Sequence, residues 1–164
     1  MNDEFLLDQA KTLADSLLQH DIMLTTAESC TGGGISHLLT AIPGSSAWFE
    51  RGFVTYSNEA KQDMLAVSAL TLENFGAVSE ECAAQMAEGA VAHSRADLAV
   101  SVTGIAGPDG GSPARPVGTV CFGWSRRGAS TLTALHLFEG DREAVRQQSI
   151  SMALQGLIEL LDSR

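Results

Sequence analysis

The stretch TTAESCTGGGISHLLTAI, residues 25–42, decides the fold. An apolar, β-branched run beginning at Ile22-Met23-Leu24 breaks off at Glu28-Ser29-Cys30-Thr31, crosses Gly32-Gly33-Gly34 and enters an apolar helical pattern. Strand, glycine-rich turn and helix make the joint of an α/β protein. Such joints hold anions or nucleophiles, because free N–H groups at a helix start favour negative charge. Three readings stand at this point. The first is a tight turn with Thr31 as helix cap. The second is a nucleophilic Ser29, with the amides of Cys30, Thr31, Gly32 and Gly33 as an oxyanion hole. The third is a phosphate cradle, although the G-x-x-x-x-G-K-[ST] pattern of nucleoside-triphosphate loops is absent.

Outward from this joint the chain alternates helix and strand. Leu6, Leu7, Ala10, Leu13, Ala14, Leu17 and Leu18 recur at helical spacing and predict a first helix over about residues 3–20. The strand is expected at about 22–27 and the next helix at about 32–41, ended by Pro43-Gly44. RGFVTYS (51–57) reads as a second strand and NEAKQDMLAV as a short helix capped by Asn58. SALTLENFG reads as a further short helix closed by Gly76, and Ser79 caps a helix running to about His93 with Glu80 and Glu81 in its first turn. DLAVSVTG (97–104) is a buried strand, VGTVCFGWS and STLTALHLF pair around Arg126-Arg127-Gly128, and Gly140-Asp141 opens a final helix to about residue 162. The fold expected is α/β, one three-layer α/β/α domain over residues 1–164 around a mixed sheet.

Composition narrows the function. A net charge of -10 and 5% aromatic residues argue against nucleic acid, which needs a basic face and stacking platforms. The three cysteines, Cys30, Cys82 and Cys121, show no Cys-x-x-Cys pairing, which points to a reducing compartment without a disulfide frame or zinc site. The acidic, amphipathic start is unlike a signal peptide, and no apolar run approaches the roughly 20 residues that span a bilayer. A cytoplasmic protein with no membrane partner, no metal and no cofactor is expected. Small metabolic domains of this kind often form symmetric dimers, and Trp48-Phe49 is either a contact in such a homo-oligomer or core.

Ligands of open α/β sheets sit beyond the carboxyl ends of strands, and three polar or glycine-rich joins fall there: AESCTGGG, TYSNEAK and SVTGIAGPDGG. A serine nucleophile needs a base. His37 lies two turns into the following helix, roughly 10 Å from Ser29, and His20, His93 and His136 stand beside no glycine join. Lysine is scarce, with Lys11 and Lys61 alone, and Lys61 sits in the second join five residues after Tyr56, the one tyrosine. Burial lowers a lysine's pKa, so a neutral Lys61 amine can take the serine proton. An exposed helical lysine is the plain alternative. Cys30 is an alternative nucleophile without a nearby histidine.

The five ordered segments TAESCTGG, VTYSNEAK, SVTGIAGPDGG, PVGTV and FEGDREAVR together resemble the CinA C-terminal domain family over about residues 4–160. The amino-terminal molybdopterin-binding-like domain of full CinA proteins is missing, so its role is not expected here. The resemblance implies hydrolysis of the carboxamide of nicotinamide mononucleotide to nicotinate mononucleotide and ammonia, in pyridine nucleotide recycling, by a Ser–Lys mechanism without metal. It implies Ser29 as nucleophile, Lys61 as general base, and Tyr56 as an aid to proton transfer or to the placing of the lysine. For the substrate phosphate, Arg142 and Arg146 share one face of the last helix near its positive end. The alternative is that both pair with Glu139, Asp141 or Glu143 on the surface. Thr103, Gly104, Ile105, Ala106 and Gly107 are expected as the opposite wall, contacting ribose or phosphate through their backbone, with a purely structural turn as the alternative. Asn58 orients Lys61 or the substrate, or simply caps a helix. Arg115-Pro116 departs from the family's Lys-Pro before VGTV and keeps the charge. A non-catalytic nucleotide-binding or regulatory module of the competence/damage type is the second reading, and hydrolysis of another small amide or lactam the third.

Overall fold

The computed structural model describes residues 2–163. Helix α1 (Asp3–His20) starts on Asn2, whose side chain accepts from the Phe5 amide, and ends on Asp21 in the left-handed region at φ 54°. Leu6, Ala10, Leu13, Ala14 and Leu17 form its buried stripe, the i, i+3, i+4, i+7 pattern that one apolar helix face requires. Strands β1 (Leu24–Glu28), β2 (Phe49–Val54), β3 (Leu98–Gly104), β4 (Thr119–Arg126) and β5 (Leu132–Leu137) form one sheet in the order β2-β1-β3-β4-β5. β2, β1 and β3 run parallel, while β4 and β5 are each antiparallel to the strand before them. The sheet is therefore mixed, and the carboxyl ends of β1, β2, β3 and β5 lie along one edge.

Five further helices cover the two faces: α2 (Gly34–Thr40), α3 (Asn58–Leu65), α4 (Ala69–Phe75), α5 (Glu80–Ala92) and α6 (Arg142–Asp162). Strand alternation sorts the core between them. Leu98, Val100 and Val102 of β3, with Val120, Phe122 and Trp124 of β4, pack on the side of α1, α2 and α6. Ala99 faces α5, and Ser101 on the same side donates to the Ala83 carbonyl of that helix. α6 buries Val145, Ala153, Leu154, Leu157 and Leu161. Each such leucine contributes about 1.5–3 kcal/mol. The indole N–H of Trp124 donates to the Ala153 carbonyl at 3.1 Å, which fixes the rotation of α6 against the sheet. That rotation decides where Arg142 and Arg146 fall.

The three layers and the mixed sheet match the sequence reading, with local corrections. Ser45–Ala47 is a 3₁₀ turn that the sequence reading lacked. The second strand begins at Phe49 and ends at Val54, earlier than expected, and just past it the Thr55 amide still bonds to the Glu28 carbonyl of β1 at 2.8 Å. Ser57, one residue ahead of Asn58, caps α3 by accepting from Ala60 N. Trp48 is 1% exposed and belongs to the core. Among the described residues, no helix is long and apolar enough to cross a membrane.

Candidate active site

The first join shows how the serine is placed. Glu28 ends β1 fully buried, and its carboxylate accepts from Thr31 Oγ1 at 2.6 Å, Ile35 N at 2.9 Å, Ser36 N at 3.0 Å and Ser36 Oγ at 2.8 Å. It satisfies the first-turn amides of α2, whose N-cap Gly33 has no side chain to do so. Thr31 is thus not the helix cap; its hydroxyl serves Glu28. The same geometry corrects the phosphate-cradle reading, since a protein carboxylate already occupies that helix start. Gly32 (φ 57°) and Gly33 (φ 96°) lie in the left-handed region, where a side chain is strained. The main chain folds back there, and the Gly32 amide bonds to the Ser29 carbonyl at 3.0 Å.

Ser29 itself is anchored to β3, its amide donating to the Val102 carbonyl at 2.9 Å. Lys61, on α3 after β2, brings Nζ to 2.9 Å from Ser29 Oγ. The same nitrogen lies 2.8 Å from the Thr55 carbonyl and 3.4 Å from the Tyr56 carbonyl. Lys61 is 1% exposed. Among the described residues it has no carboxylate within ion-pair distance. Burial lowers its pKa below the ordinary lysine range, since removal from water penalises the ammonium. The three oxygens around Nζ suit either charge state: an ammonium donates to all three, whereas a neutral amine donates to the two carbonyls and accepts from the serine hydroxyl.

The cleft above this pair has a volume of about 290 Å³ and is lined by Ser29, Cys30, Tyr56, Asn58, Lys61, Ala77, Val78, Thr103 to Gly107, Asp109, Gly110 and Arg142. The residues expected after β3 therefore form one wall. The Thr103 hydroxyl is already bonded to the Ala77 carbonyl at 2.9 Å. Arg142 stands at the rim, with Nη1 donating to the Gly107 carbonyl at 2.8 Å and Nη2 3.4 Å from the Tyr56 hydroxyl. Tyr56 is 64% exposed and meets Lys61 through its main-chain carbonyl, while its ring lies at the mouth beside Arg142. Arg146 does not line the cleft. Its Nε donates to the Cys30 carbonyl at 3.2 Å and its Nη2 to the Thr31 carbonyl at 3.1 Å.

Cys30 borders the cleft, but burial pushes its thiol up to about 11, so it stays protonated near neutrality. The histidines stand elsewhere: His20 and His93 bond to carbonyls four residues back, and His136 stacks on Phe138. Sequence reasoning passed over Glu28, Ala77, Val78 and the main chain of Thr55. Glu28 carried a signal, an acid at the end of an apolar strand ahead of a helix start with no side-chain cap. Ala77 and Val78 carried none.

Fold and site together define a class: an α/β protein that presents a serine and a buried lysine at the carboxyl ends of neighbouring parallel strands. The CinA C-terminal domain model matches residues 7–161, and the chain belongs to that family. The nicotinamide-nucleotide amidohydrolase PncC of Escherichia coli (strain K12) is 51% identical over 157 residues, 96% of this chain and 95% of that one. The crystal structure of competence/damage inducible protein CihA from Agrobacterium tumefaciens is similar with a TM-score of 0.92 at 45% identity, covering 98% of this chain and 96% of that chain. A competence-damaged protein (CinA) superfamily structure from Klebsiella pneumoniae gives 0.94 at 39% identity, covering 100% of both.

Proposed function

We propose that this chain hydrolyses the carboxamide of nicotinamide mononucleotide, releasing ammonia and nicotinate mononucleotide. The observation that carries the reading is the 2.9 Å contact between Ser29 Oγ and a buried lysine amine that has no counter-ion among the described residues. Similarity to amidohydrolases that cover nearly the whole chain supports the substrate class.

The chemistry follows from the groups present. Ser29 Oγ attacks the carboxamide carbon as its proton passes to Lys61 Nζ. The tetrahedral oxyanion is met by the Cys30 amide, which has no main-chain acceptor among the described residues and belongs to a residue that lines the cleft. Lys61 then returns its proton to the departing nitrogen, which leaves as ammonia, and the nicotinoyl group stays on Ser29 as an ester. Water attacks this ester with Lys61 again as base, and the proton returns to Ser29 Oγ. In this reading Arg142, the first residue of α6 at the cleft rim, supplies the cation for the phosphate.

Purified protein with nicotinamide mononucleotide should release ammonia and nicotinate mononucleotide in equal amounts, and Ser29→Ala should stop both. Binding without turnover would favour a regulatory module, and full turnover by Ser29→Ala would remove Ser29 as nucleophile.

A further inference from the structure

Arg146 and Arg142 lie four residues apart on α6, yet they do different things. Arg142 reaches the cleft. Arg146 lies behind the glycine turn, where its Nε and Nη2 form a fork on two successive carbonyls, Cys30 O and Thr31 O. A Cβ placed on Gly32 would sit 3.7 Å from Arg146 Nη2, so the guanidinium packs directly on the turn.

The fork has a consequence for the amides. A trans peptide is planar, so the C=O of one residue and the N–H of the next point to opposite sides. With the Cys30 and Thr31 carbonyls held toward Arg146, the Thr31 and Gly32 amides must point away from it. The Gly32 amide closes onto the Ser29 carbonyl. The Thr31 amide, in a fully buried residue, has no acceptor among the described residues. Thr31 has no exposed surface and does not border the cleft, whereas Cys30, whose amide likewise has no main-chain acceptor among the described residues, does. Glu28 grips the opposite side of the turn through Thr31 Oγ1 and the α2 amides.

We propose that Arg146 is a positioning residue: its two-pronged hold on the Cys30 and Thr31 carbonyls fixes the turn that sets Ser29 and the Cys30 amide, the oxyanion donor, at the cleft, and it does not bind the substrate phosphate. This rests on the reading of Ser29 as the nucleophile. A single charge does not replace the fork, because a lysine would bring one nitrogen on a flexible stem where the planar guanidinium brings two separate nitrogens in a fixed geometry.

The test compares Arg146→Ala and Arg146→Lys with the unaltered chain, using kcat and KM for nicotinamide mononucleotide. Loss of an oriented oxyanion donor costs roughly 100-fold or more in kcat, so both variants should fall by about that factor with KM nearly unchanged. Methylguanidinium added to Arg146→Ala should restore at least about tenfold, and methylammonium at equal concentration should not. A rise in KM at constant kcat would overturn the proposal, as would unaltered kcat in either variant or equal effects of the two cations. If Arg146→Ala fails to fold, Arg146→Lys decides by the same kcat and KM criteria. The rate at which a fluorophosphonate labels Ser29 gives a readout independent of substrate. Should the unaltered chain not turn over nicotinamide mononucleotide, the substrate reading fails alone. Slower labelling in the variants, restored by methylguanidinium in Arg146→Ala, would still support the clamp, and equal labelling would end it.

Discussion

Replacing Glu28 by alanine probes how the serine is held. The carboxylate accepts four hydrogen bonds at 2.6 to 3.0 Å, two from hydroxyls and two from the buried first-turn amides of α2. The hydroxyls can turn elsewhere; Ser36 Oγ already lies 2.8 Å from Thr26 Oγ1. The Ile35 and Ser36 amides cannot, and each buried donor left without a partner costs about 1–3 kcal/mol. Relief from burying a charge offsets part of that total. The net expected loss is about 3 kcal/mol for Glu28→Ala. Glu28→Gln keeps one carbonyl oxygen and so one amide partner, and should lose about half as much. Against a typical stability of about 5–15 kcal/mol, both variants should remain folded at room temperature. Urea unfolding with unchanged slope measures the loss directly. A value below about 1 kcal/mol for Glu28→Ala, or a greater loss for Glu28→Gln, would refute the reasoning.

The remaining expectations concern the cleft. Because Lys61 must be unprotonated to act as base and burial lowers its pKa, kcat/KM should rise with pH through that lowered value and be lost as pH falls below it; a profile flat from acid to alkaline pH would contradict this. Cys30→Ala should keep more than about a third of the activity, since a thiol pushed up to about 11 is no nucleophile near neutrality; abolished turnover in a folded variant would return Cys30 to consideration. Arg142→Ala should raise KM about tenfold or more with a smaller effect on kcat, as expected for loss of a charge-assisted contact to phosphate, and an unchanged KM would exclude that role.

The order of helices and strands was legible because period and punctuation agree. The leucine and alanine stripe of α1 repeats every three to four residues, and the Ser79 cap with its following acids marks the start of α5. The serine and lysine stood out by scarcity and by position at strand ends, since parallel strands must deliver their carboxyl ends to one edge. Less was readable where a side chain's role depends on its height above the sheet. Spacing puts Arg142 and Arg146 on one face of α6, but a turn of helix separates them by about 5.4 Å. The cleft rim is within reach of the first, and the back of the glycine turn is within reach of the second. Tyr56 shows the same limit, because its main chain meets Lys61 while its ring faces away toward Arg142. The cap of α3 fell to Ser57 and not Asn58, as adjacent polar residues look equivalent until the turn geometry selects one.

The charge state of Lys61 is open to direct measurement, because the chain has two lysines, Lys11 and Lys61. Labelling lysine Cε with ¹³C gives two resonances, and Lys61→Met identifies which is which. The account predicts that the Lys61 resonance titrates below the ordinary lysine value of about 10.4, in the direction burial drives it, with the free amine beside Ser29 as the active form. A Lys61 resonance that keeps the shift of an ammonium up to that ordinary value would contradict it.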